Sequence, residues 1–290
     1  MPELPEVETI RIGLSQYIIG QTIKDVDILW SKFLSVEQVN SAVIGQTIKG
    51  LERRAKVLII ALSNDYSLLV HLKMTGQMVL VLADGERFAG GHPTDSMAAD
   101  LPDKSTRIVF AFAGGDKLYF NDQRKFGWIQ LLPTVEVLTH ELVGRLGPEP
   151  LTNDFTLTGF SKVVKRHPGS PIKAVILDQS TVSGVGNIYA DESLHLAKIH
   201  PAVKAGDLSG AQIKRLHAAI KTIIAAGVEH GGTSFAHYVN ALGGKGDYLD
   251  NARVFNQTDK PCPVCGTPII KIRVAGRGTH VCPKCQKAPR

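Results

Sequence analysis

The chain has 290 residues, 43% of them hydrophobic, and 33 Lys and Arg against 27 Asp and Glu give it a net charge of +6. That length favours two domains with real cores. No apolar run approaches the ~18 residues of a membrane helix, and residues 1–8 are acidic where a signal peptide would be basic. A soluble intracellular protein with no membrane partner is expected, and the positive balance favours a polyanion.

Val7, Ile10, Leu14 and Ile18 fall at helical spacing, so an amphipathic helix opens the chain, with Pro5 near its first turn. Short runs rich in branched and aromatic residues follow at 57–62, 67–72, 78–82, 107–113, 117–121 and 128–132. Asn64-Asp65 and Gly114-Gly115-Asp116 are turn chemistry between them. Strands in succession without intervening helices predict an antiparallel sandwich or barrel. Residues 83–104, rich in Gly, Pro, Asp and Ala, read as a long loop that is functional or mobile. Residues 146–150, Leu-Gly-Pro-Glu-Pro, read as a linker, with the full linker spanning 134–150. Beyond it the pattern turns helical. Ile213, Leu216, Ile220, Ile223 and Ile224 form one stripe, and helices are expected at 171–179 and 187–197. Two glycines, Gly184 and Gly186, lead into the second of these, and Asn187 is a suitable N-cap. Such a helix entry can hold a phosphate or be an ordinary tight turn.

The only four cysteines, Cys262, Cys265, Cys282 and Cys285, form two Cys-x-x-Cys knuckles sixteen residues apart. Disulfides are disfavoured in a reducing compartment. The spacing predicts four thiolates around one Zn2+ with no open position, a structural ion that staples a segment too small for its own core. Between residues 253 and 290, eight Lys or Arg stand against one acid, Asp259. The finger stays cationic even with the negative charge of a four-thiolate centre. That suits a phosphate backbone, and it is also what a solvated basic tail looks like.

Several segments, in order along the chain, resemble the bacterial formamidopyrimidine-DNA glycosylases. They are Met-Pro-Glu-Leu-Pro-Glu-Val-Glu-Thr at 1–9, Arg-Arg-Ala-Lys at 53–56 and His-Leu-Lys-Met-Thr-Gly at 71–76. Asp-Gln-Arg-Lys-Phe-Gly at 122–127, Gly-Val-Gly-Asn-Ile-Tyr-Ala at 184–190 and the zinc knuckles complete the set. The resemblance implies an α+β multidomain fold. An N-terminal antiparallel β-sandwich with a leading helix would be the catalytic domain (1–133). A helix-two-turn-helix DNA-binding domain (151–252) and a C-terminal four-cysteine zinc β-hairpin finger (253–290) would follow. It further implies a cytoplasmic monomer acting on double-stranded DNA that contains an oxidised purine. The activity implied is base excision by a glycosylase that is also an abasic-site lyase working by β,δ-elimination, with no cofactor beyond the structural zinc.

The same resemblance assigns site residues, and their chemistry fits. Loss of Met1 would expose the secondary amine of Pro2. With an ordinary pKa of about 8, an α-amine is partly neutral at pH 7 and a better nucleophile than lysine. Glu3 would handle protons, and Glu6, one turn on, would orient the amine or relay a proton. Lys56 would contact the phosphate beside the damaged nucleotide. Chemistry on a base requires its extrusion, and Met74, Arg124 and Phe126 would fill the space it leaves. Arg124 would donate to the orphaned cytosine. His71, Asn187 and Arg277 would hold phosphates, and Tyr248 would lie in the lesion-capping loop. Taken singly these residues have plainer readings. Pro2-Glu3 is a frayed terminus, Lys56 a solvated strand end, Met74 and Phe126 core, Arg277 a hairpin tip.

The chain also departs from the family pattern. Ala236 and His237 follow Gly231-Gly232-Thr233-Ser234-Phe235 where a Lys or Arg is usual, and Lys104-Ser105-Thr106 replaces a His-rich patch. These changes bear on lesion preference more than on reaction type. Two alternatives stand beside the first reading. One is an endonuclease VIII-like enzyme for oxidised pyrimidines, against which Leu4, Met74, Arg124 and Phe126 count. The other is a non-catalytic zinc-dependent DNA-binding protein, against which Pro2, Glu3 and Lys56 count.

Overall fold

The opening helix, α1 (Leu4–Ile18), begins where its start signals lie. Pro5 occupies the first turn, and Glu3 and Glu6 close a capping box in which the Glu3 N–H donates to Glu6 Oε2 at 2.8 Å. Leu4, Val7, Ile10, Leu14 and Ile18 form its buried face, and Gly20, at φ +87°, follows its end. The computed structural model describes all residues except 33, 93, 94, 234–245 and 290. The departures at Ala236 and His237 therefore lie outside the described residues. The chain divides into two compact units, Met1–Gly144 with Gly231–Gly246, and Arg145–His230 with Asp247–Arg290.

In the first unit α1 is followed by β1 (Ile23–Ile28), α2 (Val36–Ala42), β2 (Ile48–Arg54), β3 (Val57–Leu62), β4 (Tyr66–His71), β5 (Gly76–Val81), β6 (Arg87–Gly91), β7 (Thr106–Phe112), β8 (Lys117–Asp122), β9 (Trp128–Pro133) and α3 (Glu141–Gly144). All pairings are antiparallel, in a five-stranded sheet of order β1-β7-β8-β5-β6 and a four-stranded sheet of order β2-β3-β4-β9. One core joins both sheets to α1. β3 is buried on both faces because Val137 and Val143, from the segment after β9, pack with Ile59 of β3 and Leu69 of the neighbouring β4. Gly13 sets the seat of α1. A Cβ there would lie 1.9 Å from Phe88 on β6, so only glycine admits that ring.

The six strands read from sequence are present within two residues of their expected bounds. The three missed, β1, β2 and β6, all lie at sheet edges. The 83–104 segment, read as a long loop that is functional or mobile, contains β6, and several of its other described residues are held by hydrogen bonds. Arg87 Nη1 donates to Ala99 O at 2.6 Å. The Asp103 carboxylate accepts from the Ser96 hydroxyl at 2.6 Å, the Ser105 N–H at 2.7 Å and the Thr106 N–H at 3.1 Å.

The second unit holds α4 (Leu157–Lys165), α5 (Ile172–Leu177), α6 (Asn187–Leu196), α7 (Gly210–Glu229) and the hairpin β10 (Ile270–Val274) with β11 (Arg277–Val281). A Ser209–Gln212 capping box starts α7, whose buried face is the predicted isoleucine and leucine stripe. The boundary between the two units falls within the segment read as a linker. The Gly147 N–H donates to Gln179 O at 2.8 Å, and Glu149 is buried. Among the described residues no helix is long and apolar enough to cross a membrane.

Two adjacent buried acids on α6 hold the finger to the helices. Asp191 accepts from Lys173 Nζ of α5 at 2.6 Å and from the His280 N–H of β11 at 2.9 Å. Glu192 accepts three successive N–H groups, from Arg253 (2.9 Å), Val254 (2.9 Å) and Phe255 (2.8 Å). Burial pushes the Glu192 pKa above its ordinary value, and those three bonds oppose the shift. Glu192→Gln turns one acceptor into a donor facing a backbone N–H. It is expected to lower stability by about 2 kcal/mol in urea unfolding; an unchanged midpoint would remove this role.

Candidate active site

The N-terminal residues of α1 converge on one carboxylate. Pro2 and Glu3 are buried, and Glu6 is 0% exposed. Besides the Glu3 N–H, Glu6 accepts the Thr233 N–H at 2.8 Å and the Thr233 hydroxyl at 3.0 Å, both on Oε1. Gly232, at φ +75°, lets the chain wrap around it, since a Cβ would lie 2.9 Å from Glu6 Oε1. Sequence reasoning missed Thr233 as a partner. It lies 227 positions from Glu6, and no local pattern marks it.

Lys56 occupies the two-residue turn Ala55-Lys56 between β2 and β3 and is only 7% exposed, so it is not a solvated strand end. The neighbouring Val57 pairs in register with His71 on β4. Burial, then the positive charges of Lys73 and Lys56, push the His71 pKa down to about 3. Its Nδ1 accepts the Lys73 N–H at 3.0 Å, so the ring proton sits on Nε2. His71 is therefore a neutral N–H donor at pH 7.

Met74 and Phe126 are exposed at 37% and 51% and are not core. Met74 lies in the turn between β4 and β5, and Arg124 and Phe126 lie in the loop between β8 and β9. The buried Asp122 carboxylate ties the two loops together. It accepts the Thr75 hydroxyl from the first loop, and the Arg124 N–H (3.2 Å) and Gly127 N–H (2.6 Å) from its own. The Arg124 guanidinium stacks over the Phe126 ring, 4.7 Å from its centroid.

In the second unit Asn187 is the first residue of α6. Gly186 takes the N-cap position expected of Asn187, because the Asn187 side chain is turned to donate to Gly278 O at 3.0 Å. Lys173 Nζ donates to the same carbonyl at 3.1 Å and to the Thr279 hydroxyl at 2.7 Å. Both bonds steady the turn that carries the exposed Arg277. Tyr248 is buried, with its ring 5.0 Å from that of Tyr189. The four cysteine sulfurs lie within 4.8 Å of one another, with Cys265–Cys282 at 3.4 Å and Cys262–Cys285 at 4.0 Å. A tetrahedron of four thiolates around zinc has edges of about 3.8 Å, so one zinc ion fits. The apolar core around it is only Val254 and Ile269 with the cysteines, too little to hold the finger without the ion.

Residues 1–129 match the family model described as Formamidopyrimidine-DNA glycosylase N-terminal domain. Residues 146–238 match the Formamidopyrimidine-DNA glycosylase H2TH domain, and 259–288 the zinc finger found in FPG and IleRS. A formamidopyrimidine-DNA glycosylase of Herpetosiphon aurantiacus is 43% identical over 290 residues, spanning 99% of this chain and 100% of that protein. Among solved structures, a Lactococcus lactis FPG mutant in complex with a Fapy-dG containing DNA matches with TM-score 0.87 and 37% identity. The L. lactis Fpg in complex with an abasic site containing DNA matches with TM-score 0.87 and 36% identity. Each alignment covers 99% of this chain and 100% of the other. Sandwich, H2TH domain and zinc finger in this order are the parts of a zinc-finger DNA glycosylase. The chain belongs to the formamidopyrimidine-DNA glycosylase family.

The buried His71 makes stability depend on pH. Above its unfolded pKa, near 6.5, both states are neutral. As pH falls toward about 3 the unfolded chain takes up a proton that the native ring refuses, so stability is progressively lost. Between pH 7.5 and 5 the loss from this group is about 2 kcal/mol. Urea unfolding of the native protein and His71→Asn over this range should show a shallower dependence in the variant; parallel profiles would contradict the assignment.

Proposed function

We propose that this chain is a bifunctional DNA glycosylase and abasic-site lyase that removes 8-oxoguanine and formamidopyrimidines from duplex DNA in base-excision repair. It would act as a monomer in the cytoplasm. The observation that carries this reading is the Pro2-Glu3-Glu6 arrangement at the start of α1, in a member of a family whose L. lactis relatives were solved with Fapy-dG and abasic-site DNA.

Once Met1 is removed, the Pro2 nitrogen lone pair forms a bond to the sugar C1′ and the C1′–base bond breaks. Glu3 delivers one of the two protons that the departing base and the ring oxygen take up, and the N–H proton released from Pro2 supplies the other. Ring opening leaves an iminium between Pro2 and C1′. That cation acidifies C2′–H, so loss of this proton expels the 3′ phosphate, and a second elimination expels the 5′ phosphate. Glu6 acts here by position, because its bond to the Glu3 N–H holds the residue after the nucleophile. Lys56 and the neutral His71 Nε2–H take phosphate oxygens, as do Asn187 and Arg277. Met74, Phe126 and Arg124 stand in for the extruded nucleotide, which suits their exposure. Tyr248, its ring packed on Tyr189 of α6, lies beside the helix that begins at Asn187. The zinc ion holds the finger and takes no part in the reaction.

Borohydride trapping on a duplex carrying 8-oxoguanine opposite cytosine is expected to give a covalent adduct at Pro2 by mass spectrometry. An adduct only with an oxidised pyrimidine would move the assignment to the endonuclease VIII type. No adduct with either, from protein lacking Met1, would leave a DNA-binding protein. Zinc removal by chelation is expected to weaken DNA binding steeply by unfolding the finger; full binding after verified zinc loss would rule out the finger's role.

A further inference from the structure

We propose that Glu8 and Arg53 are positioning residues for Lys56, forming a stitch from the helix that bears the nucleophile to the turn that bears the phosphate-binding lysine. The inference rests on the reading of Lys56 given above. It starts from the backbone of that turn. Ala55 lies at φ +52°, in the left-handed region that a residue with a Cβ disfavours. Two-residue hairpin turns normally supply Gly, Asn or Asp at such a position. The alanine methyl brings neither glycine's freedom nor the side-chain hydrogen bond of Asn or Asp, so contacts from other residues help to hold the conformation.

Arg53 supplies that hold. Its Nη1 donates to Ala55 O at 3.1 Å, and its Nε donates to Glu8 Oε2 of α1 at 2.7 Å. Arg11 grips the other side of the same carboxylate, with Nη2 2.7 Å from Oε1. Burial raises the Glu8 pKa, but hydrogen bonds from Arg11 and Arg53 outweigh it and keep the pKa below its ordinary value. Glu8 is therefore a permanent anchor at neutral pH. The Arg53 side chain is only 10% exposed, which suits a strut better than a DNA contact.

The consequence is geometric. Lys56 reaches its target through a flexible four-carbon stem, so its Cα must be placed by the turn. Pro2, Glu3 and Glu8 lie on or at the start of α1, and the Glu8–Arg53–Ala55 chain therefore sets the lysine relative to the amine. A displacement of about 1 Å at a reacting centre costs up to ~100-fold in rate.

The test is a double-mutant cycle on Arg53→Met and Lys56→Met, read as single-turnover excision of 8-oxoguanine at saturating protein, with DNA affinity measured separately. Arg53→Met is expected to slow excision about tenfold alone and less than about twofold when Lys56 is already Met. Ala55→Gly, which removes the penalty at that φ, is expected to restore most of the rate to Arg53→Met. Should Arg53→Met fail to fold, Glu8→Gln enters the same cycle. Equal losses in both backgrounds, or no recovery with glycine, would overturn the inference while leaving the Lys56 reading intact. An unaltered rate in Lys56→Met would overturn that reading and the inference together. Absence of any Pro2 adduct in the native protein would point to the function itself.

Discussion

A charge taken out of water has to be met by donors, because an unpaired buried carboxylate costs several kcal/mol. In this protein that constraint places the segments the candidate chemistry uses. Glu6 gathers the N–H of Glu3 and both donors of Thr233, so the start of α1 and the root of the 231–246 segment are set by one side chain. Asp122 does the same for the turn carrying Met74 and the loop carrying Arg124 and Phe126. Asp191 and Glu192 do it for the zinc finger, drawing β11 and residues 253–255 onto α6. Each acid ties together separate pieces of chain.

The arrangement explains how exposed apolar side chains are tolerated where they stand. Phe126 and Met74 are only partly covered in the free protein, and hydrogen bonds from their neighbours Thr75, Arg124 and Gly127 to Asp122 help to hold the loops that carry them. Loops held in this way lose little further freedom when they engage a partner, which reduces the cost of binding. The finger follows the same economy. Its own core is too small to fold, and the zinc centre and the two acids on α6 supply what apolar area does not.

Which elements could be read from sequence followed burial. The central strands β3, β4, β5, β7 and β8 are buried on both faces or nearly so, and their apolar runs were recognised. The edge strand β9 was also read, because its apolar residues are covered on the outer face by Val137 and Val143. The missed strands are the other edges. β1 reads Ile-Lys-Asp-Val-Asp-Ile, β2 ends in Glu-Arg-Arg, and β6 ends in Ala-Gly-Gly. Charge and glycine on an edge guard against wrong pairing, and they erase the alternation by which a strand is recognised.

Interactions spanning a few residues are written in spacing, and the sequence alone determined those. The Pro5 and Glu3–Glu6 start of α1, the Ser209–Gln212 start of α7, the turn at Asn64-Asp65 and the Cys-x-x-Cys knuckles all depend on neighbours within a turn of chain. Family resemblance, a pattern of such short motifs, was legible for the same reason. Tertiary structure alone decided that Met74 and Phe126 are exposed while Tyr248 is buried, that Thr233 caps Glu6, that Lys173 pairs with Asp191, and that Arg53 bridges Glu8 to Ala55. These pairings join distant positions. A side chain's partner across such a gap is set by how helices and sheets pack, and composition or period along the chain carries no trace of it.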